Sequence, residues 1–141
     1  MEFDPENAIV KLCAAGMALE GAGNPQGALK HFEQAWTEAA NDFEKFIVAH
    51  YLARHQHNVA DKLQWDQEAL AFALKVPEPS MKSHYPSLYL NIAKCYEDLG
   101  KSESAKKYYD LAFSFANWLP ADGYGQMIKS GILSGIKRSS A

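Results

Sequence analysis

Apolar residues recur at spacings of three and four along nearly the whole chain, and the phase of that recurrence breaks at a few short polar or glycine-rich stretches. Such a period marks helices with one buried stripe. Asp4 and Pro5 read as the N-cap and first residue of a helix whose stripe is Ile9, Leu12, Cys13, Gly16 and Leu19. The run Gly21 to Gly23 ends it, and Asn24-Pro25 starts a second, with Ala28, Leu29, Phe32, Ala35, Trp36 and Ala39 on one face. Asp42 caps a third helix that is apolar on nearly every side from Phe46 to Ala53, as a helix buried between neighbours would be. Asp61 caps a fourth, reaching to residue 76. Residues 77 to 86 hold three prolines and read as an extended connector.

From Pro86 onward the pattern is sharpest. Tyr89, Ile92, Ala93, Tyr96 and Leu99 form one stripe, Gly100 supplies a left-handed turn, Ser102 caps the next helix, and Ala105, Tyr109, Ala112 and Ala116 repeat the period. Beyond Trp118 the segment L-P-A-D-G-Y-G breaks the chain. Asp122 then caps a last helix to about Lys137, followed by a frayed tail, R-S-S-A.

The first two helices repeat the order of the 86–119 unit. Gly16 stands for Ala93, Gly23 for Gly100, Ala28 for Ala105, Phe32 for Tyr109 and Ala35 for Ala112. In the middle unit, Trp65 stands where the others place a small alanine and Ala69 where they place an aromatic, a swapped pair that could fill the same volume. The run Tyr89…Ile92-Ala93…Tyr96…Leu99-Gly100…Ala105…Tyr109…Ala112 resembles a tetratricopeptide repeat, a helix-turn-helix unit of about 34 residues. Asn117 replaces its usual final proline, with Pro120 three residues on. The resemblance implies an all-α, right-handed solenoid of three helical hairpins (approximately 5–40, 42–76 and 86–119) in one domain spanning 1–141. A capping helix, 122–137, is expected to cover the outer stripe Tyr108, Leu111, Phe115 and Trp118. The segments H-Y-L-A-R, D-K-L-Q-W-D-Q-E-A-L, Y-P-S-L-Y-L-N and D-G-Y-G further resemble small bacterial proteins of this repeat type, which implies no activity.

Composition changes little. Of 141 residues 48% are hydrophobic and 22% charged, ordinary for a globular chain, and the net charge of −3 gives no electrostatic case for nucleic acid or an anionic membrane. The acidic start M-E-F-D-P-E does not read as a signal peptide, and no window approaches a membrane span. Cys13 and Cys95 fall among apolar helix neighbours and read as reduced packing residues of a cytoplasmic protein. No phosphate loop, zinc motif or nucleophile elbow is present, so no cofactor is expected and an enzyme is the third-ranked reading. His50 and His57 lie two helical turns apart, about 10.5 Å along the axis, too far to share one metal ion.

In tetratricopeptide arrays the first helix of each hairpin lines a concave surface that holds peptides. Transferring that geometry, the lining includes Cys13, Met17 and Glu20, then His50, Arg54 and His57, then Leu90, Asn91, Lys94 and Glu97. Arg54, Asn91 and Lys94 could hold a carboxylate or the backbone of an extended ligand. The first unit offers no basic residue, so the lysine–asparagine–arginine clamp of repeats that hold chaperone C-termini is not reproduced. Such a groove is expected to gain positive charge as pH falls through about 6.5. The expected function is binding of a protein or peptide partner. The alternative is a self-associating module whose groove is filled by its own tail or by a second copy.

Overall fold

A computed structural model describes residues 4–77 and 79–140; Met1 to Phe3, Glu78 and Ala141, which include the start of the acidic N-terminus, one connector position and the last tail residue, lie outside it. The described residues form seven α-helices and no strand: α1 (Ala8–Gly21), α2 (Pro25–Glu38), α3 (Asp42–Arg54), α4 (Val59–Lys75), α5 (Tyr85–Asp98), α6 (Ser102–Ser114) and α7 (Gly123–Ser139). Consecutive helices fold back on each other as α1–α2, α3–α4 and α5–α6, and α7 packs on α5 and α6. Most of the core is one cluster running from Ile9 and Phe32 through α3 to Leu88 and Ile132, and Ala93, Ala105 and Tyr109 form a second, smaller one.

The helix starts obey a spacing that the apolar stripes do not show. The caps of the first four helices are Asn7, Asn24, Asn41 and Asn58, seventeen residues apart, each accepting a backbone N–H of the following turn through its side chain. Asp4, Asp42 and Asp61 are therefore not the caps. Asp4 accepts from the Glu6 amide in the turn ahead of α1, while Asp42 and Asp61 sit in their helices' first turns, where a carboxylate favours the positive end of the helix dipole. His84 and Lys101, the caps of α5 and α6, are again seventeen apart, and neither uses a side chain; Ser102 lies inside α6. Hairpin two to hairpin three is thus a shift of 43 residues, nine more than one repeat. The excess is the connector. It is not extended: Pro79–Ser83 winds into a 3-10 turn that buries Met81 completely and is closed by Ser83 Oγ donating to the Ser80 carbonyl at 2.9 Å.

The turns inside hairpins one and three share one closure. Gly23 (φ 80°) and Gly100 (φ 76°) take the left-handed conformation, so that the Asn24 amide reaches the Leu19 carbonyl and the Lys101 amide the Tyr96 carbonyl. Leu99 sits at that turn and is 39% exposed, outside the buried stripe. Hairpin two has His57 at the glycine position and closes differently: Gln56 Nε2 donates to the Leu52 carbonyl at 2.9 Å.

The shift of 43 also corrects the middle unit. Ala69 matches Ala112, while Lys62 and Asp66 take the places of Ala105 and Tyr109; Trp65 is half-buried on the outer side, edge-on to Trp36 with centroids 4.9 Å apart. In hairpin one Phe32 lies so close to Gly16 that an added Cβ would sit 2.6 Å from its ring. The matching pair in hairpin two is His50 and Asp66, so bulk has moved from the second helix to the first. Asp66 is buried, paired with Lys62 Nζ at 2.8 Å and accepting from Cys95 Sγ at 3.5 Å across the α4–α5 seam.

α7 does not cover the stripe Tyr108, Leu111, Phe115 and Trp118. Tyr89 stacks on Phe115 with Tyr85 at its edge, Tyr96 stacks on Tyr108, and Lys82 lies over Trp118. α7 instead lies against Tyr109, with Gly135 at the ring, where only glycine leaves room, and with Gly131 on Leu90. The helix runs to Ser139, two residues into the expected frayed tail. Arg138 Nε donates to Glu97 at 2.8 Å, and the Tyr109 hydroxyl donates to the same carboxylate at 2.6 Å.

Candidate functional site

With the register fixed by the caps, the residues of α1, α3 and α5 that share the inner face follow. Val10, Cys13, Met17 and Glu20 correspond to Glu44, Ile47, Tyr51 and Arg54, and to Ser87, Leu90, Lys94 and Glu97. Two hollows open on this face. One, of about 230 Å³, lies between α1 and α3 and is walled by Val10, Cys13, Ala14, Met17, Ile47 and Tyr51. The other, of about 250 Å³, opens between α3 and α5, with Phe46, Ile47, His50 and Tyr51 on one side, His84, Ser87 and Leu88 on the other, and Tyr124 from the start of α7 at its edge. Ile47 and Tyr51 belong to both, a ridge one side chain wide. Their helix is apolar all round because it packs against α1, α2 and α4 and still lines this surface.

The charged side chains at the rim are paired. Glu20 accepts from Arg54 at 2.6 Å and faces His55 Nε2 at 2.9 Å, joining the ends of α1 and α3. Arg54 also lies over the Tyr51 ring. Lys94 pairs with Asp98, one turn on in α5, and Glu97 is taken by Arg138 and Tyr109. Those two hydrogen bonds, Arg138 first, pull the Glu97 carboxyl down to about 2, while burial, reinforced by Glu97, pushes the Tyr109 hydroxyl up to about 12.

The residues expected to line the groove lie in different places. Cys13, Met17 and His50 wall the hollows. Glu20 and Arg54 lie at the rim, held by each other rather than presented to a ligand. His57 is not on the face: α3 ends at Arg54, and His57 belongs to a separate depression on the outer side with Trp36 and Trp65. Leu90 is occupied by Gly131 of α7. Asn91 is half-buried one turn beyond Ser87, and Lys94 is committed to Asp98. The expected gain of charge near pH 6.5 fails at His50, whose pKa is lowered to about 4, chiefly by desolvation and then by the charges of Arg54, Lys62 and His84. Burial lifts the Cys13 thiol to about 11, so it offers an apolar wall rather than a nucleophile.

Ile47, Tyr51, Leu88 and Tyr124 were missed. The first two read as core of an all-apolar helix, Leu88 as unassigned packing, and Tyr124 as part of a turn in D-G-Y-G. The seventeen-residue spacing of asparagines was the signal that would have placed Ile47 and Tyr51 beside Cys13 and Met17. Among the described residues no group of three or more His, Cys, Asp or Glu side chains is placed to hold a metal ion, and no helix is long and apolar enough to cross a membrane.

The tetratricopeptide repeat family model matches residues 86–117, so the third hairpin, α5, α6 and the turn after them, is similar to one tetratricopeptide repeat. No curated protein matches the chain. Repeats of this family generally mediate contacts between proteins.

Proposed function

We propose that the protein binds a partner protein through an extended peptide segment laid across the inner face of α1, α3 and α5. The observation that carries this reading is the pair of adjoining hollows, walled by side chains of those three helices and by Tyr124. Peptide-binding surfaces are concave and mostly apolar with a few polar groups to fix orientation, and here His50, Ser87 and the two tyrosines supply them. The two buried, unpaired cysteines support a reducing compartment, the cytoplasm of a bacterial cell on this reading. A random linear-peptide library panned against the protein and against Met17→Glu tests it. Met17 is 45% exposed at the hollow's rim, so the charge alters the surface with little effect on folding. Peptides held by the first and released by the second support groove binding; no peptide held by the wild type counts against it.

The rival reading is self-association. It is favoured by the apolar side chains that α7 leaves in solvent, Met127 at 62% and Leu133 at 46% exposure. Light scattering across a concentration series separates the two, since a chain that stays monomeric keeps its groove open.

A further inference from the structure

The peptide reading leaves open what the groove selects, and the charge and spacing of its parts narrow that choice. We infer that the occupant is an extended segment carrying two uncharged apolar side chains three residues apart, one for each hollow, and that no carboxylate clamp operates. This inference rests on the groove reading.

The chemistry of the walls comes first. Val10, Cys13, Ala14, Met17 and Ile47 present carbon and sulfur to the first hollow, and Phe46, Leu88 and the rings of Tyr51 and Tyr124 do so in the second. The cations that could attract an acidic ligand are neutralised within the fold: Arg54 by Glu20 and Lys94 by Asp98. A ligand carboxylate would have to displace one of these partners, gaining one ion pair for another. An apolar side chain displaces only water.

Spacing comes second. The hollows lie in the valleys on either side of α3, so their separation is about one interaxial distance, about 8–10 Å. Alternate residues of a β-strand on one face are only about 6.7 Å apart. An extended polyproline-type backbone, with three residues per turn and a rise of about 3.1 Å, returns to the same face after about 9.3 Å. The second geometry spans the Ile47–Tyr51 ridge and the first falls short.

The test continues with peptides enriched by the wild-type full chain, each bound as a fluorescein-labelled synthetic peptide. Ala14→Leu fills the first hollow and Ser87→Leu the second; both place a good helix former in a helix, and melting curves confirm that they fold. Each filling, and each replacement of an apolar ligand residue by alanine, is expected to weaken binding about tenfold or more. Affinity is expected to be unchanged between about 0.1 M and 1 M salt, over which electrostatic reach falls from about 10 to 3 Å. Enriched peptides that are acidic, need a free C-terminus and weaken in salt would overturn the inference while leaving the groove reading intact, provided Met17→Glu still releases them. Apolar pairs at a spacing of two, or binding indifferent to both fillings, would also overturn it. If the wild type enriches no peptide, the groove reading fails and this inference fails with it.

Discussion

Single residues carry more of this fold's specificity than their size suggests. At Gly135 an added Cβ would enter the Tyr109 ring, which is itself completely buried and fixed to Glu97. Gly135→Ala is therefore expected to destabilise by about 2 kcal/mol through overpacking. At Gly131 the nearest atom to an added Cβ is the movable end of Leu90, 3.3 Å away, so Gly131→Ala is expected to cost far less and to gain from helix propensity. Paired melting curves decide; equal losses would mean that α7 is seated differently. His50 carries a second expectation. Its folded pKa of about 4 lies below its unfolded value near 6.5, so the unfolded chain binds the extra proton between those limits. Its contribution is fully present above pH 6.5 and is lost as pH falls through 4, on the order of 3 kcal/mol in all. Denaturant unfolding of the wild type and of His50→Gln from pH 7.5 to 4 checks this, the variant showing the shallower decline.

Elements were legible where the stripe and the break agreed, and illegible where they competed. Hairpins one and three announce themselves through Gly23, Gly100 and the alanine–aromatic order, because a left-handed turn and a close helix crossing each demand a particular residue size. Hairpin two lacks both signals: His57 stands for the glycine, and a lysine and an aspartate stand for the alanine and aromatic. The eye then finds Trp65 and Ala69, three residues out of register. Asn24 and Asp122 cap α2 and α7 as expected. The starts of α1, α3 and α4 were misjudged for a simpler reason: asparagine and aspartate cap equally well, and both lie near each of these starts. That shift hid the groove, because it placed His50 and Arg54 where Ile47 and Tyr51 belong. The connector misled too, since its prolines permit a 3-10 turn at Pro79–Ser83, and Pro86 stands in the first turn of α5, where its missing N–H costs nothing. The hairpin crossing itself gives a direct test. Ala105 is completely buried between α5 and α6, whereas Lys106 is solvent-facing and paired with Asp110 at 3.5 Å. Ala105→Trp should lower stability by about 3 kcal/mol or more, and Lys106→Trp by about 0.5 kcal/mol or less. Equal melting temperatures would show the crossing to be wrong.

At the scale of the whole molecule the chain is a line of hairpins, each held by its neighbours, so its cooperativity depends on every seam. The seam between α4 and α5 is the one that crosses the nine-residue excess, and it carries a polar cluster where hairpins one and three have alanine and an aromatic. Lys62, Asp66 and Cys95 meet there within 2.8 to 3.7 Å. Burial raises the Asp66 pKa and Lys62 opposes it, burial being the larger effect, so the carboxylate depends on its partner. Asp66→Ala would leave the Lys62 ammonium facing a thiol. For a fully buried pair such a loss costs about 3–5 kcal/mol; Lys62 keeps 35% of its side chain in solvent, which places this one below that range. The cost falls on the seam, so α5, α6 and α7 should separate from the first two hairpins as a distinct unfolding step. Hydrogen exchange is expected to show one common protection level in the wild type and two in Asp66→Ala, with α5 to α7 the less protected block. Rewriting the middle hairpin after the third, by His50→Ala, Lys62→Ala and Asp66→Tyr together, returns bulk to the second helix and removes the buried charge; such replacements are neutral or stabilising. The triple variant should therefore unfold in one step at or above the wild-type temperature, while Asp66→Tyr alone, with His50 still in place, should be overpacked and unfold lower. A triple variant that unfolds in two steps would show that the polar cluster, rather than its apolar counterpart, is what joins the array.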